Sequence, residues 1–261
     1  MSTTGPVYRR GNKKPQVIWS ADHKLRTMGR QIESSAGIDS GLGPIVTPMM
    51  SIREAVGMLG GVGGRLFFTE GVWVFDEAIT IDIPDIHFLS TSPGKTIFKR
   101  PSTSTSTASI ITLSGDGAIL DGIRFIDKVS GASAVVSCTS TRPAIKNCVF
   151  EDVQKGINVS GTWASIRDCS FLTSQGYAIE FSGTASNGII TGNLIQDTGG
   201  SVYLGDNVSK VSVINNVFQN TGGGSVMVSY AVDQGILTGS ALNVVHSDQV
   251  QERSPEGMGG G

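Results

Sequence analysis

Two aspartates carry the spacing that catalysis would need. Asp127 and Asp152 each follow a phenylalanine, Phe125 and Phe150, by two residues. If the segment between them forms one turn of a coil, the two carboxyls sit on neighbouring turns roughly 5 Å apart, a separation that suits the nucleophile and acid of a retaining glycosidase. Glu151 lies beside them, and Asp197, Thr173 and Asn220 fill the same slot elsewhere. Asp, Asn and Thr are also ordinary turn residues, because their short polar side chains bond the local backbone. The favoured reading is therefore a ladder of turn residues, with the paired acids as the alternative.

Other reactive types are sparse. The three histidines, His23, His87 and His246, are far apart, so no metal cluster is expected. No Gly-x-Ser-x-Gly, phosphate loop or zinc spacing occurs, and no cofactor is expected. Cys148 and Cys169 recur in one slot of a repeat; two small buried thiols are favoured there over a disulfide or a metal pair. Trp163 and Tyr177 are candidate sugar-stacking aromatics. Asn158-Val-Ser160 and Asn207-Val-Ser209 match glycosylation sequons and are read as chance.

The elements that must position these residues follow from composition and repeat. The chain has 261 residues with Gly 35, Pro 9 and 16% charged residues, a turn-rich all-β profile. No apolar stretch reaches bilayer length. The N-terminus lacks a signal-peptide pattern and three cysteines make no disulfide framework, so a reduced protein made in a cytoplasm is expected. Charge is unevenly spread. Arg9, Arg10, Lys13, Lys14, Lys24, Arg26 and Arg30 oppose one acid, Asp22, giving the first 30 residues +6, against −8 for the remainder of a chain of net −2. A basic arm on an acidic body is an attachment device. Without interleaved aromatics or a nucleic-acid motif, docking to protein subunits is favoured over nucleic acid.

Residues 1–45 show no periodicity and are expected to form this extended arm. Ser51-Ile-Arg-Glu54 is a capping box, so a short helix within 46–63 should cover the first coil. A motif then recurs: an aliphatic, two residues, a small or polar residue, one more, and Phe or an aliphatic. It starts at Leu120, Ile145, Ile166, Ile190, Val213 and Leu237, with steps of 25, 21, 24, 23 and 24. A second strand signal falls between, as at Ile157-Asn-Val159 and Ile179-Glu-Phe181. Two signals per 23 or so residues fit one β-helix coil and are too short for a propeller blade. Phe125, Phe150, Phe171, Ile195, Phe218 and Leu242 should stack along one inner wall, and the motif's first residues along another. Asn193 and Asn216 should bond along a bend ladder. Pro101 to Ala108 is a Ser/Thr-rich loop leaving the coil. Residues 64–245 are thus the β-helix and 246–261 a flexible tail.

The run from Gly63-Gly-Arg-Leu-Phe-Phe68 through Glu70-Gly-Val-Trp-Val74, Ile79-Thr-Ile81, Ile86-His-Phe88 and Lys95-Thr-Ile97 resembles the opening of the pectate-lyase-like superfamily, including its phage tailspike and tail-fibre branch. Thr69-Glu70-Gly71 stands where that family usually has Pro-x-Gly. The resemblance implies an all-β, single-stranded, right-handed parallel β-helix. The calcium-binding acid cluster of the lyases is not matched beside Arg124, Lys146 or Arg167. With the arm, this implies a structural protein of a tailed-phage virion, tail-fibre or tailspike-like or capsid-decorating. It would be made in the bacterial cytoplasm, anchored by its arm to other virion proteins, homotrimeric, and able to contact host polysaccharide. The alternative is a polysaccharide-degrading glycosidase or lyase on the same scaffold.

Overall fold

A computed structural model describes residues 61–222, apart from positions 62, 69, 76, 102, 130 and 132, together with the backbone of strands at 7–8, 16–19, 226–228, 237–238 and 244–246. Short strands stack in parallel into three sheets. The first runs from Gly64–Phe68 and Ile86–Ser90 through Ile119–Asp121, Ala144–Lys146, Ser165–Arg167 and Ile189–Thr191 to Ser212–Ile214 and Leu237–Thr238. The second includes Gly71–Val74, Thr96–Lys99, Ile123–Asp127, Val149–Val153, Ser170–Leu172, Leu194–Gln196, Val217–Gln219 and Val244–His246. The third includes Ile79–Ile81, Ile111–Leu113, Val136–Cys138, Ile157–Val159, Tyr177–Phe181, Gly200–Leu204 and Val226–Val228. Each coil contributes one strand to each sheet, which is the expected parallel β-helix.

The repeated motif spans two strands. Its aliphatic residue belongs to the first sheet and its Phe to the second, and a sharp corner separates them. Sequence shows two strand signals per coil because that corner is too tight to interrupt the pattern. It is made by single left-handed residues: Gly122 (φ 75°), Asn147 (53°), Asp168 (55°), Gly192 (68°) and Asn215 (56°). Only Gly, Asn and Asp occur there, the residue types that enter this region at least cost.

Strict alternation puts every second side chain inside. Leu120, Ile145, Ile166, Ile190 and Val213 are fully buried in line, as are Phe125, Phe150, Phe171, Ile195 and Phe218. Phe150 stacks on Phe125 at 5.1 Å and on Phe171 at 4.7 Å, with rings nearly parallel. The last coil departs from the expected register. Val245, rather than Leu242, pairs with Phe218, and Thr238, rather than Leu237, pairs with Val213. The local spacing changes there, and a motif read at constant period slips.

Behind the corner the expected asparagine ladder is present. Asn216 Oδ1 accepts from Asn193 Nδ2 at 2.9 Å and from the Asn193 backbone N–H at 3.0 Å. Asn193 Oδ1 accepts from the Cys169 N–H at 3.0 Å. The Nδ2 groups donate to the carbonyls of Ile166 and Ile190, both at 3.1 Å. Cys148 and Cys169 continue this slot as free, buried thiols.

Part of the segment expected as an arm joins the stack. Gln16–Trp19 pairs in parallel with Gly64–Phe68, and Val7–Tyr8 pairs antiparallel with Gln16–Trp19. The first sheet therefore extends two strands beyond the first coil. Of the segment 46–63 expected to hold the capping helix, residues 46–60 and 62 lie outside the described residues, as do the rest of residues 1–45 and the tail after His246; His246, expected to open that tail, ends the strand Val244–His246.

Candidate functional site

The two candidate acids point in different directions. Asp127 ends a second-sheet strand, and the register shifts after Ile126, so that Ile126 pairs with Glu151 but Asp127 pairs with Val153. The extra residue on the next coil is Asp152, turned out with φ 50°. A bulge of this kind re-aims side chains across one coil. Asp127 is consequently 2% exposed and faces the interior. Its Oδ2 lies 3.6 Å from Arg100 Nε, and its Oδ1 accepts the Val129 N–H at 3.3 Å. Asp152 instead meets Lys128 Nζ at 2.8 Å on the outside. The structure does not bring the pair together on one surface.

Burial pushes the Asp127 carboxyl above its ordinary pKa, opposed by the nearby Arg100 charge; burial lowers that of Arg100. Arg100 also donates through Nη1 to the carbonyl of Ser106, tying the Ser/Thr-rich loop to the coil. Sequence reasoning missed Arg100. The signal was available in its spacing: Arg100 follows Phe98 by two residues, as Asp127 follows Phe125.

The slot holding Asp152 is a turn ladder. Thr173 (φ 60°), Asp197 (52°) and Asn220 (51°) share its left-handed conformation, and Asn220 Nδ2 donates to Asp197 Oδ1 at 3.1 Å. Glu151 pairs with Arg124 on the outer surface of the second sheet. Lys146 Nζ lies 3.0 Å from Asp121.

The outer face of the third sheet has a different character. Asn158, Glu180 and Tyr203 follow one another in register on adjacent coils. Tyr177 stacks on Tyr203 at 4.8 Å and 15°, above Gly200, where a Cβ would approach the Tyr177 ring to 2.5 Å. Lys155 Nζ lies 3.4 Å from Glu180 Oε2, and Ser182 Oγ donates to Asn158 Oδ1 at 2.9 Å. Stacked rings flanked by a carboxylate, an amide and an ammonium form a surface that can contact both the C–H faces and the hydroxyls of a sugar. Of the two candidate aromatics, Tyr177 belongs to this patch. Trp163 stands in the turn after the third sheet and is 59% exposed. Tyr203 enters only through the stack, which spacing does not reveal.

Burial pushes the Cys138 thiol up to about 12 and raises that of Cys169 well above its ordinary value. Among the described residues no three His, Cys, Asp or Glu side chains converge as a metal set. Nor is any helix there long and apolar enough to cross a membrane. The arm cations Arg9, Arg10, Lys13, Lys14, Lys24, Arg26 and Arg30 lie outside the described residues. Four of them, Arg9, Arg10, Lys13 and Lys14, fall in the stretch connecting Val7–Tyr8 to Gln16–Trp19.

Comparison with known proteins places this geometry. The family described as "Right handed beta helix region" matches residues 86–245. The catalytic domain of a GH87 alpha-1,3-glucanase, solved in complex with nigerose, superposes with a TM-score of 0.55 at 11% identity, over 78% of this chain and 44% of that one. ORF18 of Geobacillus virus E2 superposes with a TM-score of 0.51 at 12% identity, over 93% of this chain and 66% of that one. The chain therefore spans under half the length of the glucanase domain and just under two thirds of the viral protein. No curated protein matches by sequence.

Proposed function

The chain belongs to the right-handed β-helix family, and from that premise we propose that it is a structural protein of a tailed-phage virion, a tail-fibre, tailspike-like or capsid-decorating subunit anchored through its N-terminal segment. One observation carries this reading: Gln16–Trp19 adds in parallel to Gly64–Phe68. The strands Gln16–Trp19 and Val7–Tyr8 thereby extend one end of the coil stack, and in this reading the β-helix is a shaft attached end-on. An end-on anchor favours closed rotational symmetry, and a homotrimer is part of the proposal. The patch of Tyr177, Tyr203, Glu180 and Asn158 is its contact surface for host polysaccharide. The likeness to a viral protein agrees with this reading and adds only the fold to its support.

The alternative, a polysaccharide-degrading enzyme, draws no support from the carboxylates. Asp127 is enclosed with Arg100, and Asp152 is held by Lys128 at a turn.

The test is to tag the C-terminal end of the chain in the genome that encodes it and to purify the particles. Tag recovered in particles, and lost when Arg9, Arg10, Lys13 and Lys14 are all changed to Ser while the soluble protein persists, is the expected result. Particles free of tag reject the virion role. Unchanged incorporation of the four-fold variant rejects the arm as the anchor.

A further inference from the structure

The corner between the third and first sheets carries its own ladder of left-handed residues: Asp85 (φ 54°), Gly117 (69°), Arg142 (61°), Trp163 (60°), Asn187 (56°) and Lys210 (55°). Backbone bonds tie it rung to rung. The Arg142 N–H donates to the Thr162 carbonyl and the Trp163 N–H to the Ser186 carbonyl, both at 2.8 Å. Successive rungs are therefore roughly 4.8 Å apart. Most rungs hold Gly, Asn, Asp or a long cation, and one holds a Trp, a bulky residue that this backbone conformation disfavours. Burial does not offset that cost: Trp163 is 59% exposed, more than any other large hydrophobic side chain among the described residues.

We propose that Trp163 is the platform of a second glycan site, distinct from the tyrosine patch, that takes an uncharged hexose chain. One pyranose lies on the ring, and Arg142 and Asp116 bind hydroxyls of the sugar that follows. The inference adds to the glycan-contact part of the reading above and does not depend on virion assembly.

The surroundings of the ring support it. Four residues lead from Cys138 to Arg142 and from Val159 to Trp163, but six lead from Phe181 to Asn187 and from Leu204 to Lys210. The longer turns begin on the coil directly after Trp163, and their Gly183, Thr184, Asp206 and Asn207 are exposed. The ring thus stands at the foot of a step, with the shorter turns open before it. Beside the ladder runs a row of hydroxyls, Thr141, Thr162, Ser186 and Ser209, paired in parallel bridges. Thr162 Oγ1 donates to Thr141 Oγ1 at 3.5 Å, Asn187 Nδ2 donates to Ser186 Oγ at 3.2 Å, and Asp116 Oδ1 accepts the Thr141 N–H at 2.9 Å. These groups keep donor and acceptor capacity for sugar hydroxyls. The carboxylates Asp85, Asp116 and Asp206 are interspersed with Arg142 and Lys210 along this corner, so its charge does not draw an acidic polymer. The apolar surface is also too small for a protein partner. Ile189, the other exposed large hydrophobic residue, has Ser165 and Ser212 as its neighbours in register.

The test uses the full chain with dextran, mannan and galactan as uncharged polymers and polygalacturonate as the acidic comparison. Binding is read by retardation in polymer-loaded native gels and by protection of tryptophan fluorescence from acrylamide. At least one uncharged polymer should retard the chain and protect its fluorescence, and polygalacturonate should leave the quenching unchanged. Trp163→Asn gives this rung the residue type of the next one, so its melting temperature should equal or exceed that of wild type. Its affinity should fall about tenfold and the protection should vanish. Trp163→Phe keeps a stacking face and should retain most of the retardation. Tyr203→Ala should keep the protection, which separates failure of the ridge from failure of the tyrosine patch. The proposal is overturned if no uncharged polymer protects the fluorescence, if polygalacturonate does so, or if protection survives in Trp163→Asn. Protection that rises with chain concentration in the absence of polymer also overturns it, since that marks a contact between copies.

Discussion

Arg100 and Asp127 form an ion pair inside the coil stack, Nε to Oδ2 at 3.6 Å, with side chains 4% and 1% exposed. They occupy successive rungs of one inner ladder that continues through Val153, Ser174, Thr198 and Thr221. Two charges replace what is elsewhere a valine or a hydroxyl. Desolvation on this scale is offset only while both partners remain. Asp127→Ala should cost about 3–5 kcal/mol in urea unfolding, since it strands a buried guanidinium. Arg100→Met with Asp127→Val should return most of that loss.

The pH dependence of this pair runs opposite to that of an ordinary paired carboxylate. Burial raises the folded pKa of Asp127 above its unfolded value. Between those two values the folded state binds more protons, so this group's contribution to stability falls as pH rises through the window and recovers as pH falls. Unfolding free energies of wild type minus the Arg100→Met/Asp127→Val variant, measured from neutral to mildly acidic pH, should shift in favour of wild type on acidification. A difference that grows toward neutral pH would place the carboxyl's shift in the other direction.

The aromatic ladder should behave as core. Phe150 lies between Phe125 and Phe171 with no exposure. Phe150→Ala should cost about 3–5 kcal/mol by denaturant titration. A loss well under about 1 kcal/mol is what a surface position gives.

The asparagine ladder stops where cysteines begin. Asn216→Ala removes the acceptor of two Asn193 donors and should cost at least about 2 kcal/mol, as buried amides lose their partners. Conversely, Cys169→Asn places an amide in a slot of the right geometry and should raise stability by about 1 kcal/mol. Thermal unfolding of the two variants against wild type checks both signs.

Tyr203→Ala should weaken adsorption to host polysaccharide by about tenfold, through loss of the ring and of its stack with Tyr177. Its melting temperature should stay near wild type, because the side chain is on the outer face. Asp152→Asn should change neither adsorption nor any release of reducing sugar. Sugar release abolished by Asp152→Asn would favour the enzymatic reading instead.

Much of this protein was legible in one dimension. A coil repeats its environment about every 23 residues, so Leu120, Ile145 and Ile166, or Phe125, Phe150 and Phe171, announce their shared walls by type and spacing alone. Asn193 and Asn216 announce their ladder in the same way. The corner between the first two sheets was hidden because one left-handed residue turns the chain without breaking the alternation. The fate of the acids was hidden for a related reason. Asp127 and Asp152 have identical spacing from their phenylalanines, and sequence cannot distinguish them. One bulged residue after Glu151 turns Asp152 outward and sets Val153, not Asp152, opposite Asp127. Arg100 then becomes the partner of Asp127 from a coil away, and Tyr203 becomes the partner of Tyr177. Repetition of side-chain type determines which coil a residue belongs to; only the backbone geometry at each turn decides which side of the wall it faces.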